Sequence, residues 1–334
     1  MKKTTVLGAG SWGTALAFQL ARSGSKVFLW DHRTDRAQNM QERRQNYQYL
    51  PDIIFPDNIF VTSDLKLALE HTELVVVVTP SQTIRSVMKQ SLPFLNPEIP
   101  MCCASKGIEE TTLMTMEEVL RDVLPRSYHA QLSFLAGPSF AKEVAQNIPT
   151  AVVIASRFPE TANEVAEAFH SGYFRVYHTD DIVGAELGGA LKNIIAIACG
   201  IADGMGTGLN TRAALMTRGL AEITRLAVAR GANPLTLAGL AGMGDLTLTC
   251  TGNLSRNRRV GIGLGQGKTL DQILVELGQV AEGIISTKTA IDLARKCEIE
   301  MPITQEIYHL LYEKGTVQEA MTNLLGRERR AERG

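Results

Sequence analysis

Near its N-terminus the chain reads Thr4-Thr5-Val6-Leu7-Gly8-Ala9-Gly10-Ser11-Trp12-Gly13. The β-branched run predicts a strand, and the apolar residues after the glycines predict a helix over Ser11–Ser23. The spacing GxGxxG is common, but between a strand and a helix each glycine has a purpose. Gly8 allows a tight turn, Gly10 lets the backbone approach a pyrophosphate, and Gly13 lets the helix pack on the strand. The stretch therefore predicts a dinucleotide site at a helix N-terminus.

The residues after the next predicted strand, Lys26–Trp30, bear on which dinucleotide binds. An acidic residue at this place, here Asp31, favours an unphosphorylated ribose. His32 and Arg33 follow directly, and both could pair with a 2′-phosphate instead. We favour NADP, with NAD as the alternative.

Working outward from this stretch, strand and helix patterns alternate over the first half of the chain. Predicted strands are Thr4–Leu7, Lys26–Trp30, Ile59–Thr62, Leu74–Thr79, Met101–Ala104, Leu132–Ala136, Ala151–Ala155 and Arg175–Tyr177. Predicted helices between them are Ser11–Ser23, Asp64–Glu70, Ser81–Gln90, Met116–Leu124, Ser139–Gln146 and Pro159–His170. This alternation predicts an α/β domain over residues 1–179 with a doubly wound, Rossmann-type, mostly parallel sheet.

From about Asp180 the strand signal ends and helical patterns take over. Predicted helices there are Ile182–Ile201, Thr211–Arg230, Leu270–Leu277, Ile284–Cys297 and Thr304–Glu313. A chain of 334 residues also exceeds the size at which one core usually stops growing. We therefore predict a second, all-helical domain over residues 180–334.

Composition and charge limit the function classes. Charged residues make up 21% of the chain and nearly cancel to a net charge of −1, which argues against nucleic-acid or membrane-surface binding. The five cysteines show no metal-ligand spacing, so we expect reduced thiols and no metal. The glycines, Gln19 and Arg22 argue against a secretory signal, and no run approaches the ~18 apolar residues of a membrane-spanning helix. These features favour a cytoplasmic protein without stable membrane insertion.

A second informative stretch is Gly188-Gly-Ala-Leu-Lys-Asn-Ile-Ile-Ala-Ile-Ala-Cys-Gly200. It places Lys192 and Asn193 within an apolar helix, where an unpaired charge would be costly. Burial can also lower the pKa of a lysine, which would make Lys192 a proton donor or acceptor near neutrality. The alternative is that Lys192 extends along a half-exposed face to reach solvent.

Further candidate groups follow predicted strands or lie in the second half. Ser105-Lys106-Gly107 and Gly137-Pro138-Ser139 each follow a strand, where ligands gather in open parallel sheets. Either could instead be an ordinary loop or helix start. In Ala241–Gly252, Asp245 and Thr249 are four residues apart and share a face if the region is helical. The run Ser255-Arg-Asn-Arg-Arg259 offers groups suited to a phosphate, or a solvated basic surface.

Taken together and in this order, these motifs resemble the bacterial NAD(P)-dependent glycerol-3-phosphate dehydrogenase family. The resemblance runs from Thr4 to about Leu325, and its most specific element is the Lys-Asn helix. It implies a cytoplasmic oxidoreductase that interconverts dihydroxyacetone phosphate and sn-glycerol 3-phosphate and supplies phospholipid synthesis. Lys192 would then be the proton donor or acceptor, and Lys106 would polarise the substrate carbonyl.

The resemblance also implies the remaining site residues. The catalytic set would be Lys192, Lys106, Asp245 and Thr249. The substrate would contact Lys106, Gly137, Ser139, Lys192, Asn193, Asp245, Ser255, Arg256 and Asn257. The cofactor would contact Gly8, Gly10, Ser11, Trp12, Gly13, His32, Arg33, Lys106, Ala141, Arg256, Val280 and Glu282.

The chemistry is consistent without the family. Hydride transfer to a ketone leaves negative charge on oxygen, which an ammonium stabilises and then protonates. Two alternatives remain, a 3-hydroxyacid or 6-phosphogluconate-type dehydrogenase and a non-enzymatic dinucleotide sensor. The apolar surface of the helical half also suggests a homodimer.

Overall fold

The computed structural model describes residues 2–278, 281–329 and 331–332. The chain divides into two compact units, unit 1 with Met1–Gly189 and Leu235–Asp245, and unit 2 with Ala190–Pro234 and Leu246–Gly334. The sequence places the boundary ten residues earlier, at 179/180. The boundary between the units lies inside the helix Ile182–Gly204, because the apolar residues of its first turns pack against the sheet of unit 1. Ile182 and Ala185 belong to the same buried cluster as the strand residues of unit 1.

Unit 1 consists of strands and the helices that connect them. The strands are β1 (Lys3–Leu7), β2 (Lys26–Trp30), β3 (Gln45–Asn46), β4 (Leu50–Ile54), β5 (Ile59–Thr62), β6 (Leu74–Val77), β7 (Met101–Cys103), β8 (Leu132–Ala136), β9 (Thr150–Ala155) and β10 (Phe174–Thr179). The helices are α1 (Ser11–Arg22), α2 (Thr34–Arg43), α3 (Leu65–Leu69), α4 (Ile84–Ser91), α5 (Met116–Val123), α6 (Ala141–Ala145) and α7 (Pro159–Phe169).

All of these strands except β3 and β4 form one eight-stranded sheet, in the order β10-β9-β8-β7-β6-β1-β2-β5. All neighbouring pairs are parallel except β8 and β9, which are antiparallel. The predicted doubly wound, mostly parallel sheet is thus confirmed. Because the chain runs outward from β1 through β2 to β5 and then returns to β6, the order reverses between β1 and β6. Ligands of such sheets bind at that reversal, outside the carboxyl ends of the strands.

Apolar residues cover both faces of this sheet. Val6 and Val76 belong to one buried cluster, together with α1. Their neighbours Leu7, Val75 and Val77 belong to a second cluster, together with α4 and α5. Since successive strand residues point to opposite faces, continuous apolar runs are what a sheet covered on both sides requires. This covering holds the strand ends, and the loops after them, in fixed positions.

The second half is helical in the part that the structure describes. Its helices are α8 (Ile182–Gly204), α9 (Leu209–Ala229), α10 (Pro234–Ala238), α11 (Asp245–Thr251), α12 (Arg256–Gly265), α13 (Leu270–Leu277), α14 (Glu282–Lys296), α15 (Pro302–Tyr312) and α16 (Val317–Leu325). A π-helical turn, Leu240–Gly244, leads into α11. The predicted helices are found to within three residues at each end, whereas α2, the β3–β4 hairpin, α10 to α12 and α16 were not predicted.

In unit 2, α8 and α12 approach each other through glycines. A Cβ added at Gly200 would lie 2.1 Å from the Arg258 carbonyl oxygen, and one added at Gly261 would lie 2.0 Å from the Ile197 carbonyl oxygen. Gly204 and Gly265, one turn further along each helix, make the same kind of contact. Any larger residue would push the helices apart, so these glycines set the distance between the Lys192 helix and the Ser255 segment.

The helix α8 corrects the statement, made from the sequence, that no run approaches the length and apolar character of a membrane-spanning helix. Its most apolar 18-residue window has a mean hydropathy of 1.5, so by length and composition alone it could cross a membrane. However, 89% of that window is buried inside the protein. A helix that other parts of the chain cover in this way is a core helix, which explains its apolar composition without a bilayer.

Candidate active site

The predicted dinucleotide turn has the geometry that its glycines require. Gly8 has a φ of +119°, and a Cβ there would lie 2.7 Å from the Val78 carbonyl oxygen at the end of β6. A Cβ at Gly13 would lie 1.8 Å from the Gly8 carbonyl oxygen, whereas one at Gly10 would meet nothing within 4 Å. Gly8 and Gly13 therefore close the turn, and Gly10 leaves open backbone in front of α1. The turn lies at the reversal between β1 and β6.

Among the residues that the structure describes, two buried polar atoms beside this turn lack a hydrogen-bond partner, the indole Nε1 of Trp12 and the hydroxyl Oγ1 of Thr79. Trp12 lies in the first turn of α1, and Thr79 follows β6. Buried polar groups are normally paired, so unpaired ones indicate a ligand group or water that completes them. The open Gly10 backbone and these two atoms fit a dinucleotide. The Ser11 hydroxyl, in contrast, donates to the Tyr49 carbonyl oxygen at 2.8 Å.

The acidic residue after β2 is already paired within the protein. The Asp31 side chain is fully buried, and Arg36 of α2 donates to its two carboxylate oxygens at 2.7 Å (Nε) and 2.9 Å (Nη2). Asp31 also accepts from the Arg33 backbone N–H at 2.9 Å. The Arg33 and His32 side chains are exposed, and Arg33 pairs with Asp35. Beyond β2, the carboxylate of Asp31 is therefore already bound, and the exposed guanidinium of Arg33 is paired with the exposed Asp35.

Lys106 lies after β7, as predicted, and is held by two oxygens of unit 1. Its Nζ lies 2.6 Å from Oδ2 of Asp245 and 3.3 Å from the Gly137 carbonyl oxygen. The Lys106 side chain is 16% exposed and that of Asp245 only 1%. The ammonium thus faces partly toward solvent while its counter-charge is buried. The structure thus brings Lys106, Gly137 and Asp245 together within unit 1.

The loop after β8 places the other predicted groups of unit 1. Gly137 has a φ of +110°, which favours glycine, and its Cβ would crowd Val152 of β9 at 3.2 Å. Ser139 donates from Oγ to the Gly137 carbonyl oxygen at 3.1 Å. Ala141 begins α6 and is half-buried.

In unit 2, Lys192 is buried, with only 8% of the residue exposed. Its Nζ donates to the hydroxyl Oγ1 of Thr249 at 2.8 Å. Asn193 is also buried, at 4%. The alternative in which Lys192 extends to solvent is therefore wrong. Lys192 lies in the middle of α8, where the apolar residues on either side exclude water.

The predicted phosphate segment forms the start of α12. The hydroxyl of Ser255 caps this helix by accepting from the Arg258 backbone N–H, and Ser255 itself is buried. Asn257 is buried and accepts from the Gly283 backbone N–H at 2.9 Å through Oδ1. Arg256 is exposed at the first helical position, and Arg258 pairs with Asp203 at 2.6 Å. The segment is thus a helix N-terminus that Asp203 and Gly283 hold in place.

Two predicted cofactor residues precede or begin α14. Glu282 is exposed at the first position of that helix. Val280 lies outside the described residues. The site residues of unit 2 are therefore described except for Val280.

The helix α11 carries the partners of both lysines. Asp245 begins this helix, and Thr249 lies four residues later, one turn away on the same face. The condition under which the sequence places Asp245 and Thr249 on one face, a helix in this region, is met. In the preceding π-helical turn, a Cβ at Gly242 would lie 2.0 Å from the Leu237 carbonyl oxygen, so the glycine is required for the turn. That turn sets where Asp245 begins the helix.

Three residues of interest were missed by sequence reasoning: Arg36, Thr79 and Glu186. The sequence carried a signal for Arg36, because it follows Asp31 by five residues on a helix that was not predicted. Thr79 ends the apolar run of the predicted strand Leu74–Thr79, which is a weaker signal. Glu186 is a polar residue in an otherwise apolar helix, and nothing in the sequence shows what it faces.

A glycine turn at the reversal of a doubly wound sheet, two lysines held by a carboxylate and a hydroxyl, and a helical second half define the class of nicotinamide-dinucleotide-dependent oxidoreductases. Comparison with known proteins narrows the class. Residues 3–162 match the model of the N-terminal part of NAD-dependent glycerol-3-phosphate dehydrogenase, and residues 181–322 match that of its C-terminus. The chain belongs to the NAD-dependent glycerol-3-phosphate dehydrogenase family.

Individual relatives agree with this assignment. The chain is 52% identical over 330 residues to "Glycerol-3-phosphate dehydrogenase [NAD(P)+]" of Anaeromyxobacter dehalogenans, covering 99% of each chain. It is 41% identical to the glycerol-3-phosphate dehydrogenase of Coxiella burnetii, whose crystal structure superposes with a TM-score of 0.93 over 98% of this chain and 99% of that one. A D-mandelate dehydrogenase, 14% identical with a TM-score of 0.65 over 93% of this chain and 97% of that one, shares the fold.

Proposed function

We propose that this protein catalyses the reversible, NAD(P)H-dependent reduction of dihydroxyacetone phosphate to sn-glycerol 3-phosphate and so supplies glycerophospholipid synthesis. The observation that carries the proposal is that each unit holds one predicted lysine against a polar partner, Lys106 against Asp245 in unit 1 and Lys192 against Thr249 in unit 2. Two relatives reported above, 52% and 41% identical to this chain, are glycerol-3-phosphate dehydrogenases, which supports this reaction over the alternatives.

Lys192 is proposed to donate the proton to the substrate oxygen. The dinucleotide, when bound, supplies the hydride to the carbonyl carbon. Negative charge then develops on the oxygen, and a buried ammonium stabilises it far more than an exposed one would. The Thr249 hydroxyl, which accepts from Nζ at 2.8 Å, directs the ammonium and limits its freedom. In the oxidative direction the same amine accepts the proton.

Lys106 is proposed to polarise the carbonyl and to adjoin the cofactor. Asp245 holds its ammonium by a charge-assisted hydrogen bond, and the Gly137 carbonyl oxygen adds a second contact. These contacts fix the direction of a flexible side chain before substrate arrives. A pre-organised charge needs no rearrangement as the transition state forms.

The start of α12 is proposed to bind the substrate phosphate. Backbone N–H groups at a helix N-terminus, the Arg256 guanidinium and the Asn257 amide are donors suited to a phosphate. Asn193 of α8 and Gly137 and Ser139 of unit 1 complete the proposed substrate contacts. Binding energy from the phosphate positions the carbonyl without taking part in the chemistry.

The cofactor is proposed to contact the Gly8–Gly13 turn with Ser11 and Trp12, and further to contact Lys106, Ala141, Arg256 and the Val280–Glu282 segment. We favour NADP over NAD, because both carboxylate oxygens of Asp31 are bound by Arg36. A carboxylate paired in this way is a poor partner for a ribose 2′-hydroxyl. Arg33 and His32 are exposed at this place, and a 2′-phosphate would replace Asp35 as the partner of the Arg33 guanidinium.

This cofactor preference is testable through Arg33. The substitution Arg33→Ala should lower kcat/KM for NADPH by roughly 10- to 100-fold, because a charge-assisted bond to phosphate is lost. The value for NADH should change by less than about 3-fold, since NADH has no 2′-phosphate for the guanidinium to bind. Steady-state kinetics with both cofactors measure this, and Arg43→Ala, an exposed arginine of α2, is the matched control. Equal losses for the two cofactors would contradict the assignment.

The reaction itself is tested by following oxidation of NADPH and NADH with a panel of ketones. Turnover with dihydroxyacetone phosphate is expected. No turnover with it, but oxidation of NAD(P)H by a 3-oxoacid, or reduction of NAD(P)+ by 6-phosphogluconate in a separate assay, would select the alternative dehydrogenase. Cofactor binding without turnover of any of these would select the sensor.

We further propose a homodimer in the cytoplasm, without membrane insertion. Unit 2 exposes Leu209, Val275 and Leu325 at 71, 83 and 80%, and large apolar side chains at such exposure favour burial against a partner. Sedimentation equilibrium measures the mass in solution. A mass of one chain at micromolar concentration would exclude a stable dimer.

A further inference from the structure

A small cavity of about 10 Å³ lies beneath the Lys106 loop in unit 1. Its lining includes Ser105, Lys106 and Gly107 from that loop, Cys103 from β7, and Glu186 from α8. A cavity needs roughly 10 to 15 Å³ of such volume to hold one water molecule. The space is thus the size of a single water and has polar groups on two sides.

Glu186 lines this cavity and carries a buried oxygen whose partner is missing from the described part of the chain. Its Oε1 accepts from the Glu117 backbone N–H at 3.0 Å, whereas Oε2 is buried and has no hydrogen-bond partner among the described residues. Leaving a buried acceptor unpaired costs free energy that a bridging water would recover. The rest of the Glu186 residue is half-buried, but this oxygen is not in contact with solvent.

The same face of α8 touches Lys106. A Cβ added at Gly189 would lie 3.4 to 3.7 Å from the methylene carbons Cγ, Cδ and Cε of Lys106. Glu186 and Gly189 are three residues apart on α8, so both lie on one face of the helix. The aliphatic part of Lys106 therefore crosses α8 one turn beyond Glu186. Glu186 and Gly189 together line the inner side of the Lys106 loop.

We propose that Glu186 binds one water molecule in this cavity and, through it, positions the Ser105–Gly107 loop that carries Lys106. The inference rests on the function proposed above, in which Lys106 polarises the substrate. Glu186 does not touch the substrate in this account. It acts by keeping the Lys106 backbone from moving toward α8.

The charges around Glu186 favour its neutral form. Burial, together with the nearby carboxylates of Glu117 and Glu118, raises the pKa of Glu186 to about 8, although the hydrogen bond from the Glu117 N–H acts in the opposite direction. Beyond these, Arg157 pairs with Glu117, the Cys103 thiol lies on β7, and Lys106 with its partner Asp245 lies across the cavity. A neutral carboxyl can both donate to and accept from a water. Ionised Glu186 would add a second negative charge beside Lys106 and weaken its effect on the carbonyl.

The test compares Glu186→Gln and Glu186→Ala with wild type in pH profiles of kcat and KM. Wild-type kcat should fall above about pH 8. In Glu186→Gln, whose side chain stays neutral, this decline should begin at a pH higher by about one unit or more. At neutral pH, the kcat of Glu186→Gln should stay within about 3-fold of the wild-type value. Glu186→Ala should lower kcat about 10-fold with cofactor KM unchanged, because the loop loses its support. Glu110→Gln, which removes an exposed carboxylate four residues after Lys106, is the matched control and should match wild type.

A second readout does not depend on activity. The raised pKa means that folded protein keeps the Glu186 proton while the unfolded chain releases it, so this contribution to stability is complete below about pH 4.5 and is lost as pH rises through about 8. Thermal unfolding of wild type, Glu186→Gln and Glu186→Ala measures this effect. The Tm of wild type should drop more between pH 6 and pH 9 than the Tm of Glu186→Gln. A crystal structure should show a water within about 3.2 Å of Oε2.

Three results would overturn the proposal: an unchanged alkaline decline in Glu186→Gln, a Glu186→Ala enzyme with wild-type kcat, or a dry cavity in the crystal structure. If dihydroxyacetone phosphate gives no turnover at all, the proposed function fails, while the water and the pH dependence of Tm still decide the role of Glu186. The two failures are therefore distinguishable.

Discussion

Replacing Lys192 with alanine is expected to lower kcat with dihydroxyacetone phosphate by about 10⁴-fold, the upper end of the range for loss of a general acid. The substitution removes both the proton donor and the positive charge that faces the developing oxyanion. Cofactor affinity should change by less than about 3-fold, because the proposed dinucleotide turn belongs to unit 1 and does not include Lys192. Single-turnover kinetics and a cofactor titration by fluorescence measure the two quantities separately.

Thr249→Val is the matched control for this prediction. It keeps the ammonium but removes the hydroxyl that accepts from Nζ at 2.8 Å, so kcat should fall only by about 10-fold, as expected for one lost hydrogen bond. Far-UV circular dichroism of both variants should match wild type. A Lys192→Ala protein that turns over within a few-fold of wild type would rule out Lys192 as the proton donor.

The second large effect is expected at Lys106, where Lys106→Met should lower kcat/KM by about 10³-fold, comparable with the loss of one oxyanion donor. The change also breaks the ion pair of Lys106 with the Asp245 carboxylate, which is 1% exposed. Breaking a buried ion pair by removing one partner is destabilising, so Tm should fall as well. The two effects are measured by steady-state kinetics and by thermal unfolding.

The double variant Lys106→Met with Asp245→Asn separates the two effects. Removing both charges should restore much of the lost Tm, because the Asp245 position then no longer carries a buried charge that has lost its Lys106 partner. It should restore none of the lost activity, because the Lys106 ammonium is still missing. Lys142→Met, an exposed lysine of α6, is the control for charge alone and should change neither quantity. Recovery of activity in the double variant would show that Lys106 acts only by neutralising Asp245.

The sequence predicted the parts of this protein that local physics decides. Val75 to Val77 are β-branched and continuously apolar, a pattern that only a strand covered on both faces satisfies. The spacing of Gly8, Gly10 and Gly13 likewise has one structural explanation, because the turn excludes side chains at two of the three positions. The order of the motifs was enough to indicate the family.

Long-range contacts account for what sequence reasoning missed. The ion pair of Lys106 with Asp245 joins residues 139 apart, and the contact of Gly200 with Arg258 depends on how two helices approach. Asp31 looked free to bind a ribose until the helix α2, weak in apolar periodicity, placed Arg36 against it. Such contacts depend on distances between elements, which no local pattern records.

The sequence by itself therefore determined the α/β and helical halves, the dinucleotide turn and the identity of the candidate groups. Each of these follows from the conformations and burial that short runs of residues favour. Only the tertiary structure decided that Lys192 is buried against Thr249, that Asp31 is paired with Arg36, and that Glu186 faces the Lys106 loop. Burial and electrostatic pairing are properties of the surroundings, and the surroundings exist only once distant parts of the chain have packed together.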